Sequence, residues 1–218
     1  TLPPIIRNSF IFKFIIKKLY RNDKTHQKLK SKILNISKKE YKNYYKNMPQ
    51  MHENSDLSEI CINEIIKNIE PKNIIDVGCG NGFLLKKIRD KKKKIELNGS
   101  ELTVNSKLRQ NFKINNIKLY KKEIENIDQI KTKFDTVICS HVLEHVLDIN
   151  KAYLNLKKIC RKKLIIVVPR ERPYEHTFNG HIHFFPYEWS FINTIRPKNK
   201  FIIKDLQRDF LYIEKIKN

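Results

Sequence analysis

The sequence predicts an α/β fold with a parallel sheet covered by helices on both faces, and three observations carry that expectation. From Asp56 onward, apolar runs of strand length alternate with segments of helical periodicity. The run Leu164-Ile165-Ile166-Val167-Val168 is the strongest strand signal in the chain. Three of only five glycines, Gly78, Gly80 and Gly82, fall within five residues, where the first apolar run ends in an acid and a helical segment begins. A chain so poor in glycine concentrates it where the backbone takes unusual dihedrals and lets a ligand approach its amides.

Residues 1–55 lie outside that alternation and read as a basic helical extension or lid, with 56–218 as the main domain. They hold 13 Lys/Arg against 3 Asp/Glu, a net +10, whereas the remainder carries +12. Ser9 to Tyr20 gathers Phe12, Ile15, Ile16 and Leu19 at helical spacing and aligns Lys13, Lys17, Arg21 and Lys24 as a cationic stripe. Such a helix can cover a cleft, pack on a partner, or make peripheral contact with an anionic membrane surface through residues 9–24. Packing over the core is the favoured expectation.

Leu57 to Ile69 carries apolar residues at helical positions, and Pro71 ends it. Ile74 to Val77 is the first strand, Phe83 to Arg89 a helix, and Ile95 to Leu97 a second strand. Val104 to Phe112 reads as helix, Ile117 to Tyr120 as a short strand, and Phe134 to Cys139 as a buried strand. Leu143 to Ile159 is predicted helical, followed by the strand at Leu164 to Val168. After Pro169 comes an irregular aromatic and histidine-rich stretch. Tyr187 to Ile195 is then helical, and Phe201 to Leu206 and Phe210 to Ile216 are strands close enough to form a hairpin.

Composition bounds the function. At 26.2 kDa and 40% hydrophobic residues the chain can bury one full core. The net charge of +22 invites a nucleic-acid reading. Yet Lys, Ile and Asn number 36, 33 and 22, a joint excess that resembles AT-rich coding bias, and Lys exceeds Arg four to one. Arg would be enriched for bidentate phosphate contacts. Cys61, Cys79, Cys139 and Cys160 show no paired or metal-finger spacing, which predicts a reduced, cytoplasmic protein. The N-terminal apolar segment, interrupted by Lys13, Lys17 and Lys18, reads as neither signal peptide nor membrane span.

The glycine turn separates two nucleotide-type readings. Dinucleotide folds use G-x-G-x-x-G, and the last of those positions is Phe83 here. The spacing Gly78-x-Gly80-x-Gly82 after Asp76 instead resembles the first motif of class I S-adenosylmethionine-dependent methyltransferases. The resemblance covers about residues 56–218. It implies a Rossmann-like three-layer sandwich whose mostly parallel seven-stranded sheet has an antiparallel last strand. It also implies that the turn Gly78-Cys79-Gly80-Asn81-Gly82 passes under the methionine part of the cofactor, with Asp76 facing the amino group.

An adenosine cofactor needs a carboxylate at the end of the second strand, where two oxygens can accept both ribose hydroxyls. Glu101 stands there, 25 residues after Asp76, with Leu102 beside it. Lys122-Glu123-Ile124-Glu125 resembles the stretch with which the family reads adenine, which makes Glu123 the acid for the exocyclic amine and Ile124 the amide donor.

The segment from Phe134 to Val146 resembles the fourth motif of small-molecule O-methyltransferases of the ubiquinone-biosynthesis type. That likeness implies that Cys139, Ser140 and His141 border the methionine end of the cofactor. Base-directed nucleic-acid methyltransferases carry an acid or Asn and then Pro-Pro-aromatic at this strand end, and this chain does not. The sulfonium is already activated, so the protein's task is to align an acceptor and remove a proton. A hydroxyl oxygen on a small molecule (sugar, glycan intermediate or phenol) is the expected acceptor, with His141, His181 or His183 as the base. Tyr174, Phe178, Phe184, Phe185 and Trp189 would wall its pocket, with Arg170 and Arg172 at the rim.

His141, Glu144 and His145 stand at i, i+3 and i+4, and His176, His181 and His183 follow downstream. Small-RNA 2′-O-methyltransferases hold a divalent metal on a Glu-x-x-Glu-His helix and a later histidine. The likeness implies a site of His141, Glu144, His145 and His183, with His141 replacing the first glutamate. An RNA 2′-O-methyltransferase is therefore one alternative, and a cofactor-fold binding protein without turnover is the other.

Overall fold

A computed structural model describes residues 3–19, 23–47, 55–173 and 179–216. Tyr174, His176 and Phe178 of the sequence reading lie outside the described residues, as do Tyr20 and Arg21 of the N-terminal stripe.

Seven strands form one sheet: β1 (Asn73–Val77), β2 (Glu96–Glu101), β3 (Lys118–Lys121), β4 (Phe134–Ser140), β5 (Cys160–Pro169), β6 (Phe201–Asp205) and β7 (Asp209–Lys215). Their order is β3-β2-β1-β4-β5-β7-β6. β7 runs antiparallel to both neighbours, and the other pairings are parallel. The mostly parallel sheet with its antiparallel last strand is as the sequence predicts.

Residue alternation along each strand builds two cores. Ile74, Leu97, Ile138, Ile165 and Val167 face one way, covered by helices at Glu59–Asn68, Phe83–Lys91 and Ser106–Ile114. Ile75, Val77, Val137, Leu164 and Ile166 face the other, covered by helices at Ile149–Ile159 and Glu188–Ile195. Strand order reverses between β1 and β4, and in such sheets ligands bind outside the carboxyl ends at that switch. The ends of β1, β2 and β4 there carry Asp76, Glu101 and Ser140.

The predicted helix from Leu143 to Ile159 is a correction. Leu143–His145 forms a single 3-10 turn, Val146 is extended, and the α-helix begins at Ile149. Asp148 starts it by accepting a bond from the Lys151 amide at 2.9 Å, an N-cap that periodicity alone passes over. His141, Glu144 and His145 therefore do not share a helical face.

Among the described residues 3–47, the helices are α1 (Pro4–Arg7), α2 (Phe10–Leu19), α3 (Asp23–Lys32) and α4 (Lys38–Asn47). Of the apolar face predicted for α2, Phe12 is half-buried and Ile15 exposed; the neighbouring Phe10, Ile11 and Phe14 are exposed, whereas on α4 Tyr41 is buried. Ser37 opens α4 with a capping box, its hydroxyl 2.6 Å from Glu40 Oε2 and accepting from the Glu40 amide at 3.2 Å.

Candidate active site

Gly78, Gly80 and Gly82 take φ of 77°, 52° and 81°, all in the left-handed region that glycine tolerates. A Cβ at Gly78 would stand 2.3 Å from Val142 Cγ2, and one at Gly82 would stand 2.7 Å from Phe112 Cε2, whereas at Gly80 it would meet nothing within 4 Å. The outer two glycines are thus required by packing as well as dihedral, and Gly80 faces open space.

Four of the turn's five amides are engaged within the protein. Gly78 and Cys79 both donate to the Ser100 carbonyl, at 2.8 and 3.1 Å, and Gly82 donates to the Cys79 carbonyl at 2.9 Å. Gly80 donates to Glu101 Oε2 at 2.9 Å, and the Leu102 amide donates to Glu101 Oε1 at 2.8 Å. Glu101 therefore ties the end of β2 to the turn, while each oxygen keeps acceptor capacity for a second donor. Cys79 is buried, which pushes its thiol well above the ordinary range, so its contribution is through the backbone.

Asp76 is 2% exposed, and its Oδ1 has no hydrogen-bond partner among the described residues. Burial, reinforced by the nearby Glu101 charge, pushes its carboxyl up to about 7. A cation brought to this spot would be strongly favoured.

A cavity of about 360 Å³ opens beside the turn. Gly78, Glu101, Leu102, Glu123 and Ile124 border it, as do His141 and His145 from beyond β4 and Lys38, Tyr41, Lys42 and Tyr45 from α4. Glu123 pairs with Lys42 Nζ at 2.7 Å and also accepts from Asn126. Asp76, Cys79, Gly80, Gly82 and Ser140 do not line it.

His141 holds φ at 52°, a left-handed value uncommon outside glycine, and its amide donates to the Val167 carbonyl at 3.0 Å. Its Nε2 lies 3.0 Å from Asp209 Oδ1, and its Nδ1 lies 3.6 Å from Glu144 Oε1. Burial works against the charged imidazolium, but the Asp209 and Glu144 carboxylates outweigh it and the net shift is upward. Asp209 is buried at the start of β7, 68 positions away in sequence, and no local pattern marks it.

Glu144 is fully buried, and among the described residues neither carboxylate oxygen has a hydrogen-bond partner. Buried Glu214, by contrast, accepts from Tyr153, Tyr212 and Lys157. Burial raises the Glu144 carboxyl, with His141 and His181 opposing. Its backbone carbonyl accepts from Ile182 and His183 at 2.9 and 3.1 Å, which draws the later histidine stretch against the 3-10 turn.

The predicted ligand set is regrouped as a result. Glu144, His145 and His181 offer ligand atoms within 4.8 Å of one another. His141 turns to Asp209, and His183 Nε2 lies 2.8 Å from the Val146 carbonyl, so neither belongs to that group. His181 Nδ1 is 2.5 Å from Glu171 Oε2. Tyr45 hydroxyl stands 3.0 Å from His145 Nδ1 while donating to the Gly180 carbonyl at 2.8 Å, and Tyr41 donates to the His145 carbonyl. Burial pushes His145 down to about 3, so its ring is neutral near pH 7.

The aromatic wall differs from expectation. Phe185 packs into the core against Phe191, Trp189 is exposed and stacked on Tyr187, and Lys30 covers the Phe184 ring. Arg170 pairs with Asp205, and Arg172 donates to the Tyr187 hydroxyl. The aromatic side chains at the cavity are Tyr41 and Tyr45. The one sequence signal for them is the capping box Ser37-x-x-Glu40, followed by tyrosines at helical spacing.

A family model described as a methyltransferase domain matches residues 69–207. The ubiquinone biosynthesis O-methyltransferase of Rickettsia bellii strain OSU 85-389 is 30% identical over 128 residues, which cover 51% of this chain and 50% of that protein. The chain of strain RML369-C matches equally, so this sequence spans about half the length of the curated relatives it matches. Among solved structures, an O-methyltransferase family protein from Burkholderia thailandensis aligns at a TM-score of 0.60, with 12% identity over 87% of this chain and 63% of that one. Magnesium protoporphyrin IX methyltransferase from Synechocystis PCC 6803, with bound SAM, aligns at 0.52 and 18% identity over 72% of this chain and 78% of that one. At such identities these likenesses are of fold.

Proposed function

The chain belongs to the methyltransferase-domain family, with the class I S-adenosylmethionine-dependent fold, and from that premise we propose that it methylates a hydroxyl oxygen of a small molecule such as a sugar, a glycan intermediate or a phenol. The observation that carries this reading is the His141–Asp209 pair at the carboxyl end of β4, bordering the same cavity as Glu101.

The residues fit the cofactor. Buried Asp76, with its unpartnered oxygen, would pair with the amino group, Glu101 would accept the ribose hydroxyls, and Glu123 and Ile124 border the cavity where adenine is expected. S-adenosylmethionine, when bound, supplies an electrophilic methyl group. The protein's own work is then positional. His141 accepts the proton leaving the acceptor hydroxyl, and Asp209 holds the ring and stabilises the imidazolium that forms. Tyr41 and Tyr45 of α4 shield the cavity from water, since Tyr41 is buried and both hydroxyls are anchored to the backbone around His145 and Gly180.

The state of Asp76 makes cofactor affinity depend on pH. The free protein holds this carboxyl partly protonated near pH 7, and the cationic amino group pairs with the ionised form. Affinity measured by calorimetry is therefore expected to rise with pH below about 7, by up to about tenfold per unit, and to level off above it. Asp76→Asn should bind weakly and without that slope; a parallel slope in the variant would remove Asp76 as its origin.

A second reading adds a divalent cation. The Glu144 carboxylate has no hydrogen-bond partner, and His145 and His181 bring imidazole nitrogens beside it, a donor set suited to a borderline metal. Such an ion would be held by these three residues and would polarise an acceptor hydroxyl. One assay separates the readings: labelled methyl transfer to catechol and sugar acceptors, before and after exhaustive chelation. Transfer to oxygen at full rate after chelation is the expected result. Loss that manganese or zinc restores would establish the second reading, and transfer to amines with none to hydroxyls would sink the first.

A further inference from the structure

Six apolar side chains of the N-terminal helices α1 and α2 are exposed. Ile5, Phe10, Ile11 and Phe14 are 84%, 81%, 72% and 63% exposed, with Ile6 and Ile15 also exposed. A single exposed apolar residue is ordinary, but six within eleven positions form a patch of the kind that marks an interaction surface.

Charge identifies what meets it. Residues 1–22 contain no Asp or Glu, and beside the patch Lys18 is exposed and Lys13 half-buried, whereas Arg7 is buried. On α2, Phe10, Phe14 and exposed Lys18 form one i, i+4, i+8 row beside the row Ile11 and Ile15, so the apolar face carries its own cation. We propose that this face docks on an anionic lipid surface, with the phenylalanines and isoleucines at the acyl boundary and the lysines among the phosphates. A second copy is disfavoured as occupant, because each copy carries +22 and presents the same cations. Among the described residues no helix is long and apolar enough to cross a membrane, so the contact is peripheral.

Vesicle co-sedimentation of the full chain tests this independently of the methyl-transfer reading. The chain should sediment with phosphatidylglycerol–phosphatidylcholine vesicles and stay in solution with phosphatidylcholine alone. The double substitution Phe10→Ser and Phe14→Ser should lower partition on the order of a hundredfold. Lys18→Glu should lower it at least about fivefold. Both variants should bind S-adenosylhomocysteine like the parent, because these side chains lie outside the cavity. Equal binding to neutral vesicles, or none to either, would overturn the proposal. So would a lipid-free dimer in sedimentation velocity that the double substitution abolishes.

Discussion

Replacing His141 with asparagine is expected to lower kcat by about a hundredfold or more while cofactor affinity stays within about twofold. Asparagine is the informative choice because residue 141 sits at φ 52°, which asparagine tolerates and alanine does not, so the variant removes the imidazole and keeps the backbone. Asp209→Asn should also reduce kcat, since an amide beside Nε2 no longer stabilises the imidazolium. The two losses should not add: the double variant should be no slower than His141→Asn, because the carboxylate acts through the ring. Steady-state kinetics of the three variants, with thermal melts to confirm folding, decide the matter. Additive losses would show that Asp209 serves only the stability of β7.

Glu101→Ala should weaken S-adenosylhomocysteine binding by about a hundredfold or more in calorimetry. Two effects combine. The carboxylate acceptors for the ribose are lost, and the Gly80 and Leu102 amides lose the partner that ties the turn to β2. Glu101→Gln tests the charge at nearly constant shape: one amide oxygen can still accept, while the new amino group faces a backbone donor. Its affinity should fall between those of the parent and the alanine variant. Unchanged affinity in both would defeat the ribose assignment.

The strands and the glycine turn were legible because their signals are local. Strand periodicity, an acid at a strand end and a glycine with positive φ each depend on a few neighbouring residues, and Asp76, Gly78 and Glu101 were found that way. Periodicity misled where a cap intervened, as Asp148 shows by starting a new helix inside an apparently continuous one. His141 itself precedes the 3-10 turn at φ 52°, so no helical face joins it to His145. Amphipathicity likewise reports that a helix has an apolar face without saying what covers it, and on α2 Phe10, Ile11 and Phe14 are exposed.

The proposed cofactor end of the site is therefore readable from residues 76–101, where one strand–turn–helix unit and the next strand end hold the candidate groups close together in sequence. The proposed acceptor end is not. It joins Tyr45 from α4, His141 and Glu144 after β4, His181 beyond β5 and Asp209 at β7. Which imidazole meets which carboxylate depends on strand order, on the carbonyl of Glu144 drawing in residues 182 and 183, and on a helix from the basic N-terminal segment closing over them. Those are long-range contacts, and neighbouring residues carry no record of them.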